Sequence, residues 1–200
     1  MKPGCFTRVF LLGFSRGGIL WLFILLLIIN CAGPRMYVQP DADFTYIKKV
    51  AVLPFDNLTG DKFAGDKVRD LVTTDILSRG IFDVIEEGEV HRVLKEEGKA
   101  SATAIDQEAG KRIGKRLGIQ SFILGSVEEY GISQGGGRAF SQVAISMRMI
   151  DAGTSKILWQ ASYDKEGGGA LSRLFGIGSK TISEISRDLI EEILDTLFED

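Results

Sequence analysis

Cys31 is the side chain whose position most clearly sets up a reaction. Its thiol follows an uncharged apolar run from Ile19 to Ile29, and the only other cysteine, Cys5, lies ahead of that run. A thiol left alone once a leader is removed has no intramolecular disulfide partner, and modification at sulfur is the chemistry open to it. The other candidates are thin. His91, the only histidine, falls among Val90, Val93 and Leu94 with no second histidine or cysteine at ligand spacing, so it reads as a boundary residue. Glu86-Glu87 and Glu96-Glu97 are paired carboxylates that flank a helical pattern and read as solvated ends. In Gly178-Ser179-Lys180-Thr181 the lysine does not directly follow the glycine and no strand leads into it, as a phosphate loop requires. The expectation is a protein that is not an enzyme and has no catalytic residues, metal or cofactor.

The leader defines the setting for Cys31. Lys2, Arg8 and Arg16 precede the apolar run with no acidic residue, the form of a secretory signal. A membrane-spanning helix needs roughly 20 apolar residues, about twice what the run offers. Extending the span back to Val9 would place Arg16 inside it, at about 2.5 to 3.5 kcal/mol near a helix centre. Ile28-Ile29-Asn30-Cys31 resembles the lipobox of bacterial lipoproteins, with Asn30 in place of the usual Gly, Ala or Ser. The resemblance implies lipidation at Cys31 and two or three acyl chains, enough for a stable anchor. Ala32, rather than an aspartate, follows the cysteine, which implies the periplasmic face of the outer membrane. An uncleaved leader would hold the chain at the inner membrane.

Removing residues 1–30 takes away three positive charges and no negative one, shifting the net charge from −3 to −6. An acidic domain of this kind has no affinity for nucleic acid to explain. Three segments are expected: a signal peptide over 1–30, a lipidated tether over 31–46 containing Gly33, Pro34 and Pro40, and one domain over 47–200.

Within that domain Val50 to Phe55 reads as a buried strand. Val68, Leu71, Val72 and Ile76 mark a first helix over Phe63 to Arg79, stopped by Gly80. Ile81 to Ile85 is a second strand and Glu89 to Glu97 a second helix. Asp106 caps a third helix that runs to Leu117 and stops at Gly118. Strands follow over Ser121 to Val127, Phe140 to Ile150 and Ile157 to Tyr163, the last two joined as a hairpin by Asp151-Ala152-Gly153-Thr154. In the fourth strand Val143, Ile145, Met147 and Met149 alternate with Ala144, Ser146, Arg148 and Ile150, leaving one face wet. The glycine-rich stretch from Asp164 to Lys180 reads as a lid or interaction loop. Thr181 and Glu184 form a capping box that opens a final helix. The fold class is α/β: a single three-layer-like domain with a mixed sheet of about five strands, about four helices and a helical carboxy terminus.

Two surfaces carry candidate contact residues. Asp56 and Asn57 begin a turn-rich loop that ends at Asp61, in which Asn57-Leu58-Thr59 is turn chemistry rather than a glycan site. Lys111, Arg112, Lys115 and Arg116 form two i, i+4 pairs, a basic stripe suited to anionic head groups, envelope polymer or an acidic partner or, with Glu108 beside it, a solvated helix face.

Val50-Ala51-Val52-Leu53-Pro54-Phe55-Asp56-Asn57 resembles the opening strand of the curli-assembly (CsgG-like) lipoprotein family. The likeness continues through Val84-Ile85-Glu86, Val93-Leu94-Lys95-Glu96, Ala109, Gly114, Leu117-Gly118-Ile119 and Ile123-Leu124-Gly125-Ser126-Val127. Related openings occur in the amino-terminal domain of TolB and in lipoprotein activators of penicillin-binding proteins. The resemblance implies a membrane-tethered α/β domain that meets an envelope protein partner or other copies of itself. The expected function is a periplasmic scaffold or adaptor in envelope assembly or secretion, acting through protein contact. The alternative is an oligomeric secretion-channel component, for which Ser133 to Arg138 is too short to supply a membrane hairpin.

Overall fold

The computed structural model describes residues 35–99, 105–135, 138–167 and 180–198. Cys31, the leader and the glycine-rich segment 168–179 lie outside the described residues. In chain order the elements are β1 (Arg35–Val38), β2 (Lys49–Val52), β3 (Asp56–Asn57), α1 (Ala64–Arg79), β4 (Asp83–Val84), α2 (Glu87–Glu96), α3 (Gln107–Leu117), β5 (Ser121–Gly135), β6 (Arg138–Asp151), β7 (Ile157–Glu166) and α4 (Ile182–Phe198). The strands make one mixed seven-stranded sheet in the order β1-β7-β6-β5-β2-β4, with β3 also paired to β5. β2 runs parallel to β4 and β5, whereas β5, β6, β7 and β1 pair antiparallel in succession.

Val50 to Leu53, in and just after β2, is an unbroken apolar run because both faces of the strand are covered. Val50 and Val52 join one core with Val68, Val72 and Ile76 of α1 and Ile185, Leu189 and Ile193 of α4. Ala51 and Leu53 point the other way, into a second core with Val90 and Val93 of α2 and Ile113 of α3. In β6, Val143, Ile145, Met147 and Met149 are buried against the α1 and α4 side, and Ser146 and Arg148 lie on the other face. Among the described residues the second pair of helices covers that other face only near β2 and the start of β5, so the described sheet is three-layered at one side and open at the other.

Local chemistry sets the helix ends. Asp106 accepts from the Ala109 amide at 2.9 Å to start α3, and Gly118 ends it in the left-handed region at φ 65°. The Thr181 amide donates to the Glu184 carboxylate at 2.8 Å and Thr181 Oγ1 accepts from the Glu184 amide at 3.3 Å, closing a capping box. α2 begins two residues before the expected Glu89, because Glu86 takes the capping position and accepts from the Glu89 amide at 3.0 Å.

Three features depart from the sequence expectation. β1 lies inside the stretch read as a tether, where Arg35 to Val38 pair with Trp159 to Ser162 on the sheet edge. All four β1 residues are exposed, so no burial pattern marked the strand; its stability comes from backbone pairing. Phe44 of the same stretch packs on the core, and the Tyr46 hydroxyl donates to Asp151 at 2.6 Å. β5 passes the expected end at Val127 and continues to Gly135, where it pairs with Arg138 across a ribbon of two strands. The sheet has seven strands rather than five, since β1 and the two-residue β3 were not read as strands.

Candidate interaction surface

The basic stripe lies on α3, facing the acidic end of α2. Arg112 pairs with Glu97 at 3.0 Å, and Arg116 pairs with Glu97 at 3.3 Å and with Glu96. Glu96 in turn pairs with Arg92 at 2.9 Å, and Lys111 pairs with Glu108 at 3.0 Å. Arg116, then Arg92, hold the Glu96 carboxyl below its usual range, and Arg112 does the same for Glu97. The stripe therefore acts as the seam between two helices. Among the described residues only Lys115 of the four has no ion-pair partner.

Asp56 and Asn57 occupy β3 and lead into a loop tied by its own side chains. Asn57 Oδ1 accepts from the Thr59 amide at 3.0 Å and from its hydroxyl at 2.8 Å, while Asn57 Nδ2 donates to the Asp61 carbonyl at 2.7 Å. Asp61 accepts from the Phe63 amide at 2.9 Å and pairs with Lys67 at 2.8 Å, interactions that hold its carboxyl low, Lys67 first. Lys67 Nζ also stands 5.3 Å from the centre of the Tyr130 ring. The loop is thereby fixed against β5, with Leu58 presented to solvent.

Between this loop and the open part of the sheet runs a groove of about 460 Å³, lined by Asp56, Asn57, Leu124, Ser126, Ser146, Arg148 and Gln160 among others. The register explains its composition. Leu124, Arg148, Gln160 and Tyr37 are successive cross-strand partners, as are Asp56, Ser126, Ser146, Ser162 and Arg35, so both rows share one face. Gly125 lies between them, and a Cβ there would collide with the Ser146 carbonyl and the Phe55 ring. Arg148 is half-buried and, among the described residues, has no carboxylate partner. Its place on the wet face of β6 was legible in the sequence; its lack of a partner depends on tertiary neighbours and was missed.

A second arginine also escaped the sequence reading. Arg69, on α1, is only 3 % exposed and donates through Nε and Nη2 to the Val52 carbonyl at 3.1 and 2.8 Å. β4 is two residues long and ends before that carbonyl, so the guanidinium replaces a missing ladder bond. Arg69 also pairs with Glu87 and stands 3.5 Å from His91 Nε2. His91 is exposed, in the middle of α2. Among the described residues no group of three His, Cys, Asp or Glu side chains is arranged to hold a metal ion, and no helix is long and apolar enough to cross a membrane.

Residues 34–164 match the peptidoglycan-synthase activator LpoB family. The chain belongs to that family. The family is one of peptidoglycan-synthase activators. Of the related groups that share the opening motif, it is the penicillin-binding-protein activators that the match supports. The curli-assembly resemblance, and the secretion-channel alternative drawn from it, find no such support.

Among solved structures, the PelC dodecamer from Paraburkholderia phytofirmans superposes with a TM-score of 0.55 at 19 % identity, covering 82 % of this chain and 96 % of that one. Lipoprotein GNA1162 from Neisseria meningitidis gives a TM-score of 0.55 at 19 % identity, covering 76 % and 99 %. These likenesses establish the fold that the LpoB-family chain shares with them. A curated relative, putative adenylate cyclase 3 of Rhizobium meliloti (strain 1021), is 26 % identical over 136 residues, which is 66 % of this chain. The chain spans only 20 % of that relative's length.

Proposed function

We propose that this chain is a lipid-anchored periplasmic adaptor that activates a peptidoglycan synthase of the penicillin-binding-protein class by direct contact. The family match over residues 34–164 carries the reading. The lipobox-like Ile28-Ile29-Asn30-Cys31 supplies the anchor and the outer-membrane address. The open face of the sheet, with the Asp56–Asp61 loop at its rim, supplies a surface for contact, whereas the α3 stripe is largely occupied by α2.

Surface-immobilised full chain, titrated with the periplasmic region of the host's bifunctional synthase, tests the contact. Saturable binding is expected, and its absence would contradict the reading. For the anchor, cells fed radioactive palmitate should label the wild-type protein and not Cys31→Ala; equal labelling of the two would remove Cys31 from the account.

Self-association is a second reading, favoured by one observation. Among the described residues β1 leaves one edge unpaired in the sheet order and exposes Met36 at 57 % and Tyr37 at 51 %, an edge suited to pairing with another copy. The PelC relative is a dodecamer. Sedimentation of the full chain in detergent would show a species larger than a monomer that disappears in Tyr37→Pro.

A further inference from the structure

Three arginines among the described residues are withdrawn from full solvent exposure: Arg69, Arg79 and Arg148. Arg69 has Glu87, and Arg79 has Asp75 at 2.6 Å and Asp195 at 2.7 Å. Arg148 has none. A guanidinium that gives up part of its hydration without a counter-charge is destabilised, and a carboxylate offering two oxygens to its fork restores the loss. Asp56, in the same groove, is likewise half-buried and without an ion-pair partner among the described residues.

The spacing of these two charges follows from the register. Asp56 is level with Ser126 on β5 and Ser146 on β6, and Arg148 lies two residues further along β6. With strands about 4.8 Å apart and about 3.4 Å of rise per residue, the two backbone positions are roughly 12 Å apart. Among the described residues the two side chains form no ion pair with each other across this spacing. The spacing matches the span, about 13 Å, between side chains four residues apart on one face of an extended chain. The floor between them carries the hydroxyls of Ser126 and Ser146, and Gln160 and Asn57 stand at its sides, so the groove can take polar side chains along its length.

We infer that this groove receives an extended segment of the partner protein, in which a carboxylate pairs with Arg148 and a cationic side chain about four residues away pairs with Asp56. The inference rests on the activator reading for the nature of the partner. Its chemistry rests on the groove alone. Asp56 repels an acidic residue at its end of the groove and Arg148 repels a basic one at the other, so the two charges set the direction in which the segment lies as well as its composition.

The test uses the full chain, ¹⁵N-labelled in detergent, titrated with an acetylated and amidated pentapeptide Glu-Thr-Val-Thr-Lys. The expected result is a saturable shift of the Arg148 side-chain Nε–H and of the Ser146, Gln160 and Asn57 amides. Affinity should fall at least ten-fold for the neutral peptide Gln-Thr-Val-Thr-Gln and for Arg148→Gln or Asp56→Asn, with an unchanged amide spectrum elsewhere showing that each variant is folded. Any of four results overturns the inference: no saturable shift, shifts centred on Lys115 and α3, equal affinity for the neutral peptide, or perturbation of these residues by a soluble muropeptide in preference to the pentapeptide. A wild-type chain that binds the peptide but not the synthase contradicts the activator reading and leaves the groove chemistry standing.

Discussion

The two charged surfaces of this domain use the same residue type to opposite ends. On α3, Arg112 and Arg116 stand opposite Glu96 and Glu97 of α2, and each guanidinium is matched within the chain. On the open face of the sheet Arg148 stands among hydroxyls and amides with no carboxylate partner among the described residues, at the lip of a groove that Asp56 also lines. The stripe has the greater charge density along the sequence; the groove has the charge still available to a partner. A run of basic residues therefore signals binding only when the fold leaves it unmatched, and a single arginine on a strand outranks four on a helix once pairing is known.

Breaking the contrast at the groove should have the largest effect. Arg148→Glu reverses the unpaired charge where a partner carboxylate is expected, and stimulation of the synthase should fall by about 100-fold, equivalent to about 2.7 kcal/mol. Its melting temperature should stay close to wild type, since Arg148 makes no ion pair among the described residues. A variant that stimulates normally would place the contact elsewhere.

Arg69→Leu sharpens the contrast from inside the fold. It strips the Val52 carbonyl of both its donors, and urea unfolding should show a loss of about 2 kcal/mol, while activation per folded molecule is unchanged. Stability equal to wild type would mean that the carbonyl finds water instead.

The Tyr46–Asp151 bond gives a smaller effect with a distinct pH signature. Burial, then the hydrogen bond to Asp151, pushes the Tyr46 phenol from 10.0 up to about 12. A raised phenol favours the protonated form in the folded state, so the contribution is complete below pH 10 and is lost as pH rises from 10 to about 12. Burial also pulls the Asp151 carboxyl upward, but the bonds from Thr154 and Tyr46 outweigh it and hold the group low. Tyr46→Phe should cost about 0.5 kcal/mol at neutral pH, allowing for its exposure, and should flatten the alkaline limb of the stability profile.

The smallest effect is expected on α3. Lys115→Glu should leave synthase activation at the wild-type level, and Arg116→Gln should alter stability only at low salt, where exposed pairs are least screened. An activation loss from Lys115→Glu that matched Arg148→Glu would erase the contrast between the surfaces.

Much of the fold was legible because local signals and burial agreed. The Val50 to Leu53 run gave a strand buried on both faces. Asp106 with Gly118, and Thr181 with Glu184, bounded helices by chemistry that acts within four residues. β1 was hidden because Arg35 to Val38 bury nothing and are ordered only by β7, far along the chain. The far half of β5 was hidden because Gly131, Ser133 and Gln134 interrupt any apolar alternation. For the surface, Asn57 was readable as turn chemistry, and its side chain does bind the backbone of its own loop. The state of each arginine was not readable. Arg116 is matched by residues 19 and 20 positions away, and Arg148 is unmatched for reasons of sheet register and helix coverage that no local pattern records.

The central claim, activation of a peptidoglycan synthase by contact, is tested most directly by glycan polymerisation in vesicles. The host's bifunctional synthase would be reconstituted with lipid II, alone, with the full lipidated chain, or with Arg148→Glu. The account predicts faster lipid II consumption with the wild-type chain and a rate near that of the synthase alone with the variant. An unchanged rate with the wild-type chain would contradict it.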